Sequence, residues 1–400
     1  MTRPATAAMI LPAFLLTLGT LTACSGLGAS SDSSNPQPVH SPAETLDPAT
    51  SNKTHGSDST GGQDSGPSAV DPGWDMAAQE ADGVFLSLHE TDSDLEFRAV
   101  DSDGTILWSA QRPRVCSGFL ISDSADGPVA VLMDQQSESG NSLETTASGY
   151  DLRTGKKRWG PTEVPGPLLG SGLVFAGPPK DFIGTGGPRT ALDPATGTEL
   201  ATEDDDSPRI LALFDDHLIL ADDTKLIGED LEGQRQWTQP IADLGLTADE
   251  AREPPWEAVG DTHALVGGRG HERTLIVLRS GDIIATDVDS AGFDSHSRTL
   301  VTSDSKLRAF DLDGTQQWEE PLEDEAELTA IDAGIVVTES GSGGADGSDT
   351  QVRAADDGRP LDADRELPEH HDFGAPHHIA DSGARLVGDP ASPLLVPPLD

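Results

Sequence analysis

One short pattern recurs along this chain and limits what it can become: an aspartate-led tight turn closing on glycine, with tryptophan four residues after the glycine. Asp311-Leu312-Asp313-Gly314 leads to Trp318, Asp101-Ser102-Asp103-Gly104 to Trp108, Asp151-Leu152-Arg153-Thr154-Gly155 to Trp159, and Asp230-Leu231-Glu232-Gly233 to Trp237. Weaker copies close on Gly197, Gly281 and Gly358, where an aliphatic residue replaces the tryptophan. A repeat of roughly forty residues overrides a domain count based on length and points to one closed array of similar units.

Beyond Gly73 the apolar segments are short, rich in Val, Ile, Leu and Phe, and separated by turn residues, with no long amphipathic helical pattern. The chain therefore reads as all-β. In the repeated turn the aspartate side chain caps the hairpin and the glycine supplies a positive φ. A second hairpin precedes it in each unit, centred on Asp82-Gly83, Asp126-Gly127, Ser171-Gly172, Asp215-Asp216, Asp261-Thr262, Ser295-His296, Asp332-Ala333-Gly334 and Ser382-Gly383. The second turn occurs eight times and the first seven, so the last unit lacks its fourth strand unless residues near Ser68 to Asp71 supply it. The expected fold is an eight-bladed β-propeller closed by pairing of N- and C-terminal strands, with seven blades as the alternative if the Gly281 or Asp389 region is misread. Such closure removes the open inter-blade junction.

The N-terminus reads separately. Arg3 precedes an apolar run from Met9 to Leu21 that is too short to span a bilayer, and Leu21-Thr22-Ala23-Cys24 ends it. These residues resemble the lipobox of bacterial lipoproteins. The resemblance implies that 1–23 is a signal peptide, that Cys24 carries diacylglycerol, and that the mature chain is held at the cell membrane on its extracytoplasmic side. Residues 24–70 are rich in Ser, Gly, Thr, Pro and Asp and are expected to be a disordered tether, followed by the propeller over 71–400. As a flexible coil its roughly 45 residues have a root-mean-square reach of about 35–40 Å. With Cys24 lipidated, Cys116 is the one remaining thiol. It opens an apolar run and is expected to be buried and inert.

The turn-to-tryptophan units resemble the quinoprotein-type, PQQ-like propeller repeat found in pyrroloquinoline-quinone alcohol dehydrogenases and in BamB-like outer-membrane lipoproteins. The resemblance rests on Asp101–Trp108, Asp151–Trp159, Asp230–Trp237 and Asp311–Trp318 and covers about residues 75–400. It implies that Trp108, Trp159, Trp237 and Trp318 lie on outermost strands and pack between blades, with Gly104, Gly155, Gly233 and Gly314 closing the turns. It also implies that the quinone enzymes carry a vicinal cysteine pair, a calcium site of Glu, Asn and Asp, and a catalytic Asp. This chain has no cysteine pair, and its three asparagines lie outside any such context. No G-x-S-x-G, H-E-x-x-H or phosphate-cradling glycine loop is present either. No catalytic residue and no cofactor are therefore expected, and a PQQ-dependent oxidoreductase is the alternative.

Seventy acidic residues against 25 basic give a net charge of −45, which argues against nucleic acid as a partner because binding it needs a basic surface. Length variation collects in one set of connections, Glu138–Ser148, Pro178–Pro188, Pro240–Pro255, Gly267–Arg273, Ser340–Asp349 and Arg365–Pro376, which topology places on one face. That face is the expected binding surface. His370, His371, His377 and His378, with Asp372, are weak metal candidates because imidazoles ligate Zn, Ni or Cu, though their spacing fits no structural-zinc pattern. Glu203-Asp204-Asp205-Asp206 lacks the glycine-pivoted loop of an EF-hand. The function expected is a monomeric, membrane-anchored binding or scaffold propeller that presents its long loops to an envelope protein, peptide or glycan. A metal-responsive sensor built on the histidine loop is a further alternative.

Overall fold

The computed structural model describes residues 35–46 and 68–398, apart from 115–117, 138–142, 170–171, 179–186, 205–206, 215, 248–255, 268–272, 324–325 and 341–348. All of these lie in one compact unit, Ser33–Asp400. The segment read as a signal peptide, Cys24 and Cys116 lie outside the described residues.

Eight antiparallel sheets follow one another in sequence. Blade 1 is Gln79–Ala81, Val84–Glu90, Asp94–Asp101 and Thr105–Pro113, and blade 2 is Phe119–Ser122, Val129–Ser137, Leu143–Asp151 and Lys157–Glu163. Among the described residues blade 3 has three strands, Val174–Ala176, Arg189–Leu192 and Glu199–Thr202, with Leu168 bridged to Phe175 where an inner strand would run. Blades 4, 5, 6 and 7 begin at Arg209, Trp256, Ser290 and Ala326. Within blades 2 to 7 the strands pair in sequence order, so the outermost strand is the last.

The eighth blade joins the two ends of the chain. His378–Ile379, Arg385–Val387 and Leu394–Val396 come from the C-terminal side, and the fourth strand is Ala69–Asp71, paired through Val70 and Leu395. The seven-blade alternative is thereby set aside. Buried apolar clusters join every neighbouring pair of blades. Leu86 and Phe97 of blade 1 pack with Leu132 and Tyr150 of blade 2, Ile335 and Val337 of blade 7 with Ile379 of blade 8, and Val70 and Leu386 of blade 8 with Phe85 and Val100 of blade 1. Removing this apolar surface from water, at about 25 cal/mol per Å², is what holds the ring together.

The segment read as a tether is partly ordered into the rim. Two strands, β1 (Gln37–Pro42) and β2 (Glu44–Leu46), extend the outer edges of blades 1 and 8, and Ala69–Asp71 is β3. Pro38 and Pro42 and the absence of apolar alternation suit an edge strand as well as a coil. An edge strand needs only backbone pairing on one side.

Candidate functional site

The four repeat tryptophans form one arrangement at four junctions. Each indole Nε1 donates to a carbonyl in the repeated turn of the next blade: Trp108 to Leu152 at 2.7 Å, Trp159 to Pro194 at 2.8 Å, Trp237 to Leu278 at 2.6 Å and Trp318 to Ala355 at 2.9 Å. The glycine of that same turn faces the indole ring. A Cβ on Gly197 would lie 2.3 Å from Trp159, one on Gly281 2.6 Å from Trp237, and one on Gly358 2.8 Å from Trp318. The glycine is thus required twice, for a positive φ and for the close approach of the neighbouring ring.

Where tryptophan is missing, other residues take parts of its place. Val70 stands against Gly104 and Ile284 against Gly314. At the Ile284 junction, between blades 5 and 6, the buried His263 has Nε2 3.3 Å from the Leu312 carbonyl, so a blade 5 side chain again meets a carbonyl of the next blade's turn. Burial pushes the His263 pKa down, opposed by that hydrogen bond. Among the described residues no side chain lies within 4 Å of the Cβ position of Gly233, at the junction of blades 3 and 4.

The face carrying both kinds of short turn is occupied by its own hydrogen bonds. A groove of about 320 Å³ opens there between blades 1 and 2, lined in part by Asp82, Asp126, Asp151, Arg153 and Arg158. Its guanidiniums are already engaged: Arg153 donates to the Asp82 carbonyl at 2.7 Å, and Arg158 to the Asp151 carboxylate at 2.6 Å and the Asp126 carbonyl at 3.0 Å. Across the ring, the first hairpins of blades 6, 7 and 8 meet. Ser295 Oγ lies 3.0 Å from Asp332 Oδ1 and also bonds Asp381, and the fully buried Asp294 accepts from the Gly334 N–H at 2.7 Å. Burial raises the Asp332 pKa to about 7, against the Ala333 N–H and with the support of the neighbouring Asp381 carboxylate.

On the opposite face the connection from blade 7 to blade 8 is built into a cap. Two short helices, α1 (Ala363–Glu366) and α2 (His370–Phe373), lie in it, with Leu367 and Phe373 packed into the blade cores. Arg385 on the second strand of blade 8 fixes the cap, donating to Glu369 Oε1 at 2.8 Å and to the Glu366 carbonyl at 2.9 Å; Glu369 is fully buried. Such a pair is costly to break, because either partner alone leaves a buried charge.

The histidines of this cap do not converge. His371 pairs with Asp364 at 2.8 Å, and His378 with Glu80 on the inner strand of blade 1 at 3.3 Å. His377 is largely buried, its pKa pushed down to about 4 by burial and by His378, with Asp389 opposing. The His370 side chain lies outside the described residues. Among the described residues no three His, Cys, Asp or Glu side chains come together as a metal ion requires. In the acidic run, Glu203 instead accepts the N–H groups of Ile210 and Arg189, and residues 205–206 are outside the description. Sequence reasoning missed Asp332 with Asp381 and Glu369 with Arg385, whose only signal was their position on turns and connections.

No family model matches the chain, and a search of curated proteins gave no match. Among solved structures it is similar to BamB from Moraxella catarrhalis, at 14% identity over 82% of this chain and 98% of that one, with a TM-score of 0.44. It is similar at the same identity and coverage, with a TM-score of 0.45, to a computationally designed protein, Ika8. At such values neither likeness bears on activity, and the propeller assignment rests on the strand pairing described above.

Proposed function

We propose that this chain is a non-catalytic binding or scaffold propeller, lipid-anchored through Cys24 on the extracytoplasmic side of the cell membrane, that offers its long-connection face to an envelope protein, a peptide or a glycan. The observation that carries the reading is the division of labour between the two faces. On one, the turns are short and their polar groups are spent on neighbouring blades. On the other stand the longest connections, from Ala176 to Arg189, from Pro240 to Trp256 and from Leu361 to His378, the last held rigid by the Glu369–Arg385 pair. Rigid scaffolds with elaborated connections are where binding residues concentrate. The lipobox residues quoted above support the anchored location.

Photo-crosslinking residues placed singly on intact cells test this. Positions Asp364 and Arg365 on the cap should give adducts with a defined partner, whereas Asp103 and Asp313 on the short-turn face should not. Equal adducts from both faces, or adducts from the short-turn face alone, would sink the proposal. Loss of lipid labelling and release of a Cys24→Ser chain check the anchor separately.

A further inference from the structure

The segment Asn35–Leu46 touches three blades in succession. The Tyr150 hydroxyl of blade 2 donates to Asn35 Oδ1 at 3.1 Å, and Pro36 lies against Gly155 in the same blade's turn. β1 then pairs with the outermost strand of blade 1, Gln37 opposite Ser109 and Pro42 opposite Thr105. At Ala43 the segment changes sheets: its N–H donates to the Gly104 carbonyl at 2.8 Å, and its side chain, 7% exposed, packs with Val70 and Trp74. β2 pairs with β3 of blade 8, Thr45 opposite Val70. The crossing at Ala43 lies over the junction where the ring closes.

That junction is lightly made. β3 has three residues, and it is held to the C-terminal strand through one directly paired couple, Val70 and Leu395. A pull applied at Ala69 would act on this short pairing first. Pro38 and Pro42 lack N–H donors, and His40 has a φ of 50° beside a register shift, so the free edge of β1 offers little to a further strand. The segment therefore finishes the rim instead of extending it.

We propose that residues 35–46 are a clasp across the ring's seam, which takes the pull of the membrane anchor on the rim of blades 1 and 2 and keeps it off the closing strand. The membrane half of this rests on the anchored reading above; the clasp does not. From Cys24 to Asn35 there are 35 − 24 = 11 residues, which span about 36–40 Å at full extension. Were Ala69 the first fixed residue, 69 − 24 = 45 residues would allow about 150–160 Å. The clasp thus shortens the leash about fourfold and turns the rim of blades 1 and 2, not either face, towards the membrane. The long-connection face is then free to meet a partner in the plane of the envelope.

The test uses the full chain in a Cys116→Ser background, once with Cys24 lipidated and once as Cys24→Ser. In both, Gln37→Cys with Ser109→Cys should oxidise to an intramolecular disulfide about tenfold faster than Gln37→Cys with Ser207→Cys, because pairing raises the local concentration of the two thiols. Equal rates overturn the clasp. On vesicles carrying an acceptor-labelled lipid, a donor dye at Arg114→Cys should transfer energy equally well in the lipidated chain with a native clasp and in one whose clasp is fixed by the 37–109 disulfide, and several times less well after Ala43→Asp. A native chain that transfers as poorly as Ala43→Asp while the disulfide-fixed chain transfers well also overturns it. Failure of the lipidated preparation to bind vesicles, with the disulfide still forming, overturns the anchored reading and the membrane half alone.

Discussion

Asp332 and Asp381, on the first hairpins of blades 7 and 8, share the hydroxyl of Ser295 from blade 6. One hydroxyl proton cannot serve two carboxylates, so the trio is most stable with a further proton on the pair. The Asp332 pKa is raised to about 7 from an unfolded value near 3.8, so the folded chain binds more protons across that window. Stability from this group is fully present below pH 4 and falls as pH rises towards 7. Asp332→Asn should therefore raise the melting temperature at pH 7.5, by about 1–2 kcal/mol of stability after allowance for solvent screening, and do little at pH 4. Thermal melts of both proteins at the two pH values check this; parallel profiles would reject it.

Two histidines withdrawn from solvent act in the opposite sense. His263 and His377 have pKa values below the unfolded 6.5, the second about 4, so the unfolded chain binds the extra protons. Their contribution is complete above pH 6.5 and is lost as pH falls below it, towards 4 for His377. His377→Gln should flatten the acid limb of a stability profile measured by urea titration. An unchanged limb would show that His377 does not titrate on folding.

Trp237 and Gly281 should behave as one unit. Trp237→Ala empties a buried indole site and should cost about 3–5 kcal/mol. Trp237→Phe keeps most of the packing but drops the hydrogen bond to Leu278, and should cost less. Gly281→Ala should destabilise both by its φ of +73° and by its approach to the ring. In the Trp237→Ala background the second cost should shrink to the backbone part, a non-additivity that a double-mutant cycle in urea would measure.

The Glu369–Arg385 pair makes a fourth test. Glu369→Ala strands a guanidinium that is 11% exposed and should cost about 3–5 kcal/mol. Glu369→Gln together with Arg385→Met should be better tolerated, and urea unfolding of both variants compares them directly. If the pair holds the cap as described, limited proteolysis of Glu369→Ala should cut first between residues 362 and 377.

What could be read from the sequence was what is local and repeated. Gly104, Gly155, Gly233 and Gly314 declare their turns because few other residues take a positive φ, and all four have one. The mismatch between seven copies of one turn and eight of the other pointed to Ala69–Asp71, since an unfinished sheet must find its last strand elsewhere. The unreadable parts depend on how blades approach. Asp332 and Asp381 are 381 − 332 = 49 residues apart and meet only because successive hairpins converge towards the ring axis. The histidines misled for the converse reason. His377 and His378 adjoin in sequence, yet burial lowers the pKa of the first while the second reaches Glu80, because His377 lies in a bend and His378 opens a strand.

The pairing of Val70 with Leu395 also sets the order of events in folding. These residues are 395 − 70 = 325 apart, so the eighth blade, which sits beside the first, is completed last. At synthesis rates of about 5–20 residues per second, the N-terminal strand waits some tens of seconds for its partner. Through that interval the blades can form one after another from local hairpins, but the growing arc has two unmatched ends. Closing it joins the most distant parts of the chain, which is the slow and aggregation-exposed step for a protein built of otherwise short-range contacts.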